Sequence, residues 1–354
     1  GKDDMNNDNY IVSSILTGMQ GWVIPLDVNT HQFTDIVLGG ALGGYTADSN
    51  PGLSTRIAIF NPTNDWTRVM LIRVIPEIYT AYNKLKVNSD DEVALALASV
   101  IRVSAVHRVT DTYGPIPYSQ IGADNALTSP YDSQEQVYDR LFAELDAALE
   151  VLRAHSAESI KATSDKVYAG NLAKWVRYAN SLKLRMAMRV VYVIPDQARA
   201  WAEEAVTSGV IESADESATL ATVGSIQVFN PLEEVWNAYA DTRMGATMDA
   251  YLNGYKDPRL ATYFKPCEDG LYHGVRNGIA AISKEYYLGM SVPNVDKTTP
   301  VRWLMSSEVA FLRAEGAMRG WAMGGDAESF YRRGIELSFL ENGLSAAEAA
   351  TYAE

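Results

Sequence analysis

The sequence predicts a mostly helical protein built from pairs of helices, with two long loop-rich segments inserted between them. Much of the 354-residue chain carries apolar residues at steps of three and four, which places them on one face of a helix. This period is lost over residues 21–66 and 213–306, where glycine, asparagine and aromatic residues are frequent. We call these segments the first and second excursion. Loops this long are usually functional or disordered, and their aromatic residues argue against disorder.

The most regular helix is predicted within Asp165 to Tyr192, with Gly170 and Asn171 supplying the break and the N-cap. Pro195 is expected to end the pattern because it has no amide hydrogen. Three apolar residues of this helix are expected to be buried: Trp175, Leu182 and Met186. Further helices are predicted over 9–20, 69–86, 90–108, 133–153, 196–208, 244–253, 307–319 and 326–340. Short turns join them into pairs similar to tetratricopeptide (TPR) units, without a strict repeat of about 34 residues.

Composition excludes several classes of protein. The formal net charge of −14 argues against nucleic-acid binding, which needs lysine and arginine for the phosphates. Cys267 is the only cysteine, and the four histidines lack H-x-x-x-H spacing, so no disulfide framework, metal site or cofactor is predicted. No apolar run is long enough to span a membrane, and the polar start has no signal-peptide pattern.

No catalytic signature is present either. The chain lacks G-x-S-x-G, phosphate-loop and dinucleotide-binding patterns, and its glycine pairs at 39–40 and 43–44 predict turns. A glycosidase needs two carboxylates facing each other across a sugar, whereas the adjacent pairs at 203–204 and 233–234 point apart on a helix and are predicted to be surface charges. The sequence therefore predicts a protein without catalytic activity.

Aromatic and charged residues in the excursions are candidates for ligand binding. Trp236 is followed by Asp241 and Arg243, and such groups supply the directed donors and acceptors that sugar hydroxyls need. The alternative is a structural ion pair, with aromatic rings that pin the loops to the body. Trp22, Tyr272 and Tyr287 face the same two alternatives. The predicted ligand-binding residues are Tyr45, Trp66, Trp236, Asp241, Arg243 and Tyr286.

Four motifs in a fixed order carry a resemblance to a known family. They are VTDTYGPIPYSQ at 109–120, KW with ANSLKLR at 174–185, NP at 230–231 with DPRL at 257–260, and SEVAFLRAEGAMRGW at 307–321. Together they resemble the corresponding segments of SusD/RagB-type outer-membrane lipoproteins, in particular the SusD-like branch. The first motif departs at Pro115, where the family has aspartate; by itself it predicts a rigid turn that ends a helix.

The resemblance implies a SusD-like fold, in which a TPR-like superhelix of helix pairs carries long irregular excursions. It implies one domain over 1–354, with a helical frame at about 67–210 and 307–342. We expect the C-terminal part of the protein to be missing, because a helix with a good capping box at Ser345 stops almost at once.

The resemblance also implies a function. The protein would bind oligosaccharides on the extracellular face of a Bacteroidetes outer membrane, anchored by an N-terminal lipid that this sequence lacks. It would deliver them to a TonB-dependent transporter of SusC type. A peptide is the alternative cargo, as in RagB-like members. A TPR-like interaction scaffold is a further alternative, which fits the helix pairs but not the aromatic-rich excursions. A helical glycoside hydrolase would lack a nameable acid–base pair.

Overall fold

A computed structural model describes residues 2–32, 34, 46–49, 68–121, 128–224, 227–276 and 283–354. About 60% of it is helical. The α-helices in this part of the chain are α1 Lys2–Gln20, α2 Val28–His31, α3 Ile75–Asn88, α4 Glu92–Tyr113, α5 Gln134–Ala154, α6 Leu172–Arg189, α7 Pro195–Ser208, α8 Pro231–Trp236, α9 Ala246–Gly254, α10 Leu260–Tyr263, α11 Lys284–Tyr287, α12 Ser306–Met318, α13 Ala327–Glu341 and α14 Ala346–Ala353. The strands are β1 Thr46–Asp48, β2 Ile116–Pro117, β3 Tyr131–Asp132, β4 Ala218–Leu220, β5 Thr242–Met244, β6 Phe264–Lys265, β7 Val292–Pro293 and β8 Val301–Leu304.

Consecutive helices pack in pairs, which confirms the predicted helix-pair architecture. The most extensive contacts join α4 to α5, α6 to α7 and α12 to α13. Small residues on α12, among them Ala310 and Ala314, are buried and allow a close approach of α13, where Gly334 lies against the ring of Phe311. The long and largely apolar α4 is the one described helix whose length and hydropathy would suffice to cross a membrane, but 78% of its apolar window is buried. Such burial is typical of a core helix.

Helix α6 lies at the centre of the main hydrophobic core, as its period predicts. Trp175, Leu182 and Met186 are fully buried, and no strand interrupts residues 171–190. The Trp175 ring makes edge-on contacts with Tyr178 at 5.5 Å and with Trp303 at 6.3 Å between ring centroids. Its indole N–H donates to the buried carboxylate of Asp165 at 2.7 Å. The helix therefore joins several elements through one aromatic cluster.

The predicted start of α6 is confirmed, but its predicted end is wrong. The Asn171 side chain accepts a hydrogen bond from the Lys174 amide at 3.1 Å, which is an N-cap. Gly170 before it has φ 88°, and a Cβ there would lie 2.1 Å from the Ile160 carbonyl oxygen. The helix ends at Arg189, and Pro195 instead begins α7, where its missing amide hydrogen costs nothing.

The basic flank of α6 is ion-paired rather than solvated. Lys183 is fully buried, and its ammonium lies 2.8 Å from Asp146 and 3.1 Å from Glu204. Arg185 forms a two-pronged pair with Glu308 on α12, with both distances under 3 Å. Because a buried ammonium or guanidinium is tolerated only with such partners, these pairs fix how α6 meets α5, α7 and α12.

The other helix boundaries follow capping signals. Asp91 caps α4, and Ser133 and Ser345 form full capping boxes at the starts of α5 and α14. The predicted helix 69–86 is confirmed as one continuous helical run, in which residues 70–74 form a π-helical turn and α3 ends two residues further than predicted. The first helix starts earlier than predicted, at Lys2 rather than residue 9.

The segment after α4 forms the rigid turn predicted from its two prolines. Gly114 ends the helix with φ 75°, and β2 then pairs with β3 in antiparallel register. Asp111 on the last turn of α4 accepts a hydrogen bond from the Tyr138 hydroxyl and lies 3.3 Å from the Arg189 guanidinium. The motif therefore ties α4 to α5 and α6.

Candidate ligand-binding site

The two excursions are joined directly. Strand β1 of the first pairs with β5 of the second in antiparallel register, with Ala47 opposite Arg243. Next to β1, the Ser49 amide donates to the Asp241 carbonyl at 3.1 Å, and the Ser49 hydroxyl donates to the Ala240 carbonyl at 2.7 Å. A small hydrophobic cluster of Ala47, Val275 and Tyr287 spans the same junction. The described parts of the two excursions therefore form one connected layer on the helical frame.

Asp241 lies at this junction and is buried, with 7% of the residue exposed. One carboxylate oxygen accepts a hydrogen bond from the side-chain amide of Gln32 at 2.6 Å, and the other lies 2.8 Å from the Lys284 ammonium. Lys284 also donates to the Tyr239 carbonyl at 2.8 Å. Asp241 therefore links the first excursion to α11, the short helix that carries Tyr286.

Arg243 is more deeply buried, with 3% of the residue exposed. Its guanidinium donates to three backbone carbonyls, those of Trp236 at 3.0 Å, Thr242 at 2.7 Å and Tyr287 at 3.1 Å. Burial lowers the pKa of this guanidinium, and the nearby Asp241 carboxylate opposes that shift; arginine nevertheless remains charged at neutral pH. In this structure Arg243 holds α8, β5 and α11 together.

Trp236 and Tyr286 differ in how much ring they offer to a ligand. Trp236 is partly buried, its indole N–H donates to the Val295 carbonyl at 2.8 Å, and the Lys265 ammonium lies 4.8 Å from its ring centroid. Tyr286 is 59% exposed and packs edge-on against Tyr287 at 4.9 Å. The Tyr286 ring is therefore held by a neighbour and still accessible, which suits stacking on a flat apolar face.

Two adjacent cavities lie where the excursions meet. The first, of about 570 Å³, is mostly apolar and includes Tyr10, Trp22 and Leu26, with the hydroxyl side chains of Ser14 and Thr17. The second, of about 610 Å³, lies between the start of α2 and helix α8. Both are lined by Leu26 of the first excursion and Val228 of the second, so they adjoin each other. We call the two cavities together the excursion groove. Volumes of this size match small-ligand sites.

A third cavity, of about 640 Å³, lies between helices of the frame and has a different character. It is lined by Lys174, Arg313 and Arg333 together with carboxylates. These charges already meet protein partners: the Arg313 guanidinium lies 3.4 Å from Glu212 and donates to the Met323 carbonyl at 2.8 Å. We therefore favour the excursions over this cavity as the place where a ligand binds.

Four of the six predicted site residues, Trp236, Asp241, Arg243 and Tyr286, lie in the described part of the second excursion, and none of the four lines the excursion groove. Tyr45 and Trp66 lie outside the described residues. The groove adds aromatic residues that sequence reasoning did not select, Tyr10 and Phe229, which are 72% and 55% exposed. Tyr10 lies on the face of α1 opposite its buried residues, and this position was a usable signal.

The adjacent carboxylates of Glu203 and Glu204 turn to separate partners. Glu203 accepts from the Arg199 guanidinium at 2.7 Å, whereas Glu204 turns to Lys183 at 3.1 Å. The sequence predicts a surface position for Glu233, but the structure buries it, with 8% exposed. Its carboxylate accepts from the Asn237 side chain at 2.9 Å, one turn further along the chain. Helix α8 packs with the face that carries Glu233 turned toward the protein interior.

The family model of SusD-like proteins, described as SusD and RagB outer membrane lipoprotein, matches residues 1–353. The chain belongs to this family. A SusD homologue from Bacteroides uniformis ATCC 8492 is 43% identical, with a TM-score of 0.90 over 98% of this chain and 73% of the homologue. One from Bacteroides ovatus ATCC 8483 is 38% identical, with a TM-score of 0.90 over 97% and 72%.

A chitin-binding SusD homologue from Flavobacterium johnsoniae is also similar. It is 34% identical, with a TM-score of 0.87 over 96% of this chain and 72% of the homologue. No curated protein sequence matches this chain significantly. The SusD-like fold predicted from the four motifs is confirmed, and the family is one of outer membrane lipoproteins.

Proposed function

We propose that this protein captures oligosaccharides at the outer face of a bacterial outer membrane without cleaving them. It is anchored there by an N-terminal lipid and delivers its ligand to a TonB-dependent transporter of SusC type. Family membership and the chitin-binding homologue support a glycan ligand. The observation that carries the proposal within this chain is the direct pairing of β1 with β5, which unites the two aromatic-rich excursions.

Sugar rings have an apolar face of C–H groups and a rim of hydroxyls. An exposed aromatic ring covers the apolar face and buries area at low entropy cost, while polar side chains satisfy the rim. Tyr286 and the free part of the Trp236 ring supply stacking surfaces in the second excursion. Tyr45 and Trp66 are proposed to supply them from the first. Loops on a rigid frame commonly carry binding in this way.

Asp241 and Arg243 belong to the same proposed site as positioning residues. Asp241 ties Gln32 and Lys284 together, and Arg243 holds the carbonyl groups of Trp236 and Tyr287. Both therefore fix where the two stacking rings lie. Removing either is expected to weaken binding through movement of the rings.

A shallow site with one or two stacking rings should bind in the micromolar to millimolar range, on the order of −8 to −4 kcal/mol. Since the ligand is uncharged, affinity should change little with salt. A glycan array that also carries peptides identifies the ligand class, and isothermal titration calorimetry with the best glycan then gives the affinity. Binding of peptides alone would favour the RagB-like alternative.

The matched variants are Tyr286→Ala and Tyr192→Ala. Both tyrosines are largely exposed, at 59% and 84%, but Tyr192 lies on the helical frame after α6. Tyr286→Ala should weaken binding by about tenfold, near 1.4 kcal/mol, and Tyr192→Ala should leave it unchanged. Equal affinity of the two variants would place the site away from α11.

The absence of catalysis is tested with the same ligand. Overnight incubation with the protein should return the oligosaccharide intact by chromatography, because Glu203 and Glu204 turn to separate partners and Glu233 is hydrogen-bonded to Asn237. New reducing ends that disappear on mutation of one carboxylate would contradict the proposal. Partnership with the proposed SusC-type transporter is tested by co-purification of the two proteins.

A further inference from the structure

A tight hairpin at residues 267–273 of the second excursion brings together three different donor groups. The Cys267 amide donates to the Leu271 carbonyl at 2.8 Å, and the Gly270 amide donates back to the Cys267 carbonyl at 2.9 Å. Gly270 has φ 76°, which lets the chain reverse. The reversal places the thiol of Cys267, the carboxylate of Asp269 and the imidazole of His273 on one side.

The ligand atoms of Cys267, Asp269 and His273 all lie within 4.8 Å of one another. The His273 Nε2 atom is 2.8 Å from an Asp269 carboxylate oxygen. Around a tetrahedral zinc ion, sulfur at about 2.3 Å and nitrogen or oxygen at about 2.0–2.2 Å leave ligand atoms roughly 3.5 Å apart. Side-chain rotations that move these ligand atoms by about 1 Å therefore suffice to form such a site.

We propose that Cys267, Asp269 and His273 bind one divalent transition-metal ion, with Zn²⁺ as the representative, and leave the fourth position to water. Thiolate, imidazole and carboxylate are the donors that zinc accepts. On binding, the thiol of Cys267 loses its proton to the solvent, and His273 takes the neutral tautomer protonated at Nδ1, which frees Nε2. The ion then takes the place of the hydrogen bond between His273 Nε2 and Asp269.

One buried residue, Ser291, also holds the hairpin in place. Ser291 is 1% exposed, and its hydroxyl accepts from the His273 amide at 3.0 Å and contacts the Cys267 sulfur at 3.3 Å. The Ser291 carbonyl accepts from the Met244 amide on β5 at 2.7 Å. The His273 backbone and the Cys267 sulfur atom are therefore held in place before metal arrives, and bound metal should stiffen the segment that carries Arg243.

The test is titration of Co²⁺ into reduced, tag-free protein, since a cobalt–thiolate bond gives a near-ultraviolet charge-transfer band. We expect this band in the wild type and its loss when Zn²⁺ is added. Cys267→Ser should abolish the band. Asp269→Asn and His273→Ala should each weaken Co²⁺ binding by about tenfold or more, the scale of losing a group that orients a metal site.

His155→Ala is the matched control. His155 is hydrogen-bonded to Glu92 and Glu158 without a thiol nearby, so its loss should leave the band and the affinity unchanged. Circular dichroism of each variant establishes that the fold is retained. The proposal is overturned if the wild type gives no band, or if Asp269→Asn and His273→Ala both bind Co²⁺ as the wild type does.

Discussion

The helical frame and the second excursion are stabilised in different ways. Around α6 the frame buries a continuous cluster of aromatic and aliphatic side chains, with Trp175 at its centre. The ends of the second excursion, such as Leu220 and Trp303, join this cluster. In the described residues between these ends the hydrophobic clusters are small; one consists of Met244, Leu252, Leu260 and Phe264. The second excursion is instead stabilised by two-stranded sheets and by buried polar residues such as Asp241 and Arg243.

This difference separates stability from ligand specificity. A frame stabilised by burial of apolar area tolerates changes in the loops that it carries. A loop layer stabilised by a few directed hydrogen bonds changes shape when one of those residues changes, because each bond fixes a particular backbone group. The frame should therefore dominate the free energy of unfolding, and the excursions should dominate ligand choice.

The largest effect is expected from Trp175→Ala. Truncation of this fully buried ring should lower the free energy of unfolding by about 3–5 kcal/mol, since it removes apolar contacts and one of the hydrogen bonds to the buried Asp165 carboxylate. Tyr286→Ala in the excursion should cost less than about 0.5 kcal/mol, because its ring is mostly exposed. Urea denaturation of both variants measures this difference, and similar costs would remove the distinction between the two regions.

A smaller effect is expected from Arg243→Ala. The substitution removes the guanidinium donor of the Trp236 carbonyl and one of the two donors of the Tyr287 carbonyl, which also accepts from the Met290 amide. This loss should cost about 1–3 kcal/mol. Arg276→Ala, at an exposed position of the same excursion, is the control and should stay within about 0.5 kcal/mol of the wild type. Thermal unfolding compares the two. If Arg243→Ala is as stable as its control, the guanidinium does not stabilise the second excursion, and its assignment as a positioning residue is wrong.

The frame also predicts a pH dependence at His107. Burial, reinforced by the positive charges of Arg185 and Arg189, holds the pKa of this imidazole well below 6.5. In the unfolded chain the same group takes up a proton near pH 6.5, so the unfolded state gains protons and stability falls as pH decreases below that value.

The loss should approach about 1.4 kcal/mol per pH unit from this residue. Urea midpoints measured between about pH 7 and pH 5 should fall in the wild type and fall less steeply in His107→Leu. His155, whose pKa is raised by hydrogen bonds to Glu158 and Glu92, contributes equally to both proteins. Parallel slopes would show that His107 is accessible to water.

The frame could be predicted from the sequence because its signals are local. Trp175, Leu182 and Met186 repeat at helical spacing, and Asn171 and Ser133 mark helix starts by side-chain caps. Proline was harder to interpret. Pro195 breaks a helix or begins one according to its position, and here it begins α7.

The candidate site could be predicted only in part because its contacts are distant in sequence. Gln32 and Asp241 are 209 residues apart, and no local pattern indicates that they meet. The sequence identified Asp241 and Arg243 as polar residues beside aromatic ones, but it could not distinguish a ligand contact from a structural role. Likewise, the hairpin turn that places Cys267 near His273 was not visible in residue counts.

The most direct test of the central claim is calorimetry with the glycan that the array identifies, on Trp66→Ala and Trp236→Ala. These residues belong to different excursions, and Trp236 contributes a partly buried ring. If the two excursions form one site, each variant should bind at least about tenfold more weakly, near 1.4 kcal/mol, with an unchanged melting temperature. Wild-type affinity in both variants, or unfolding of both, would contradict a shared site.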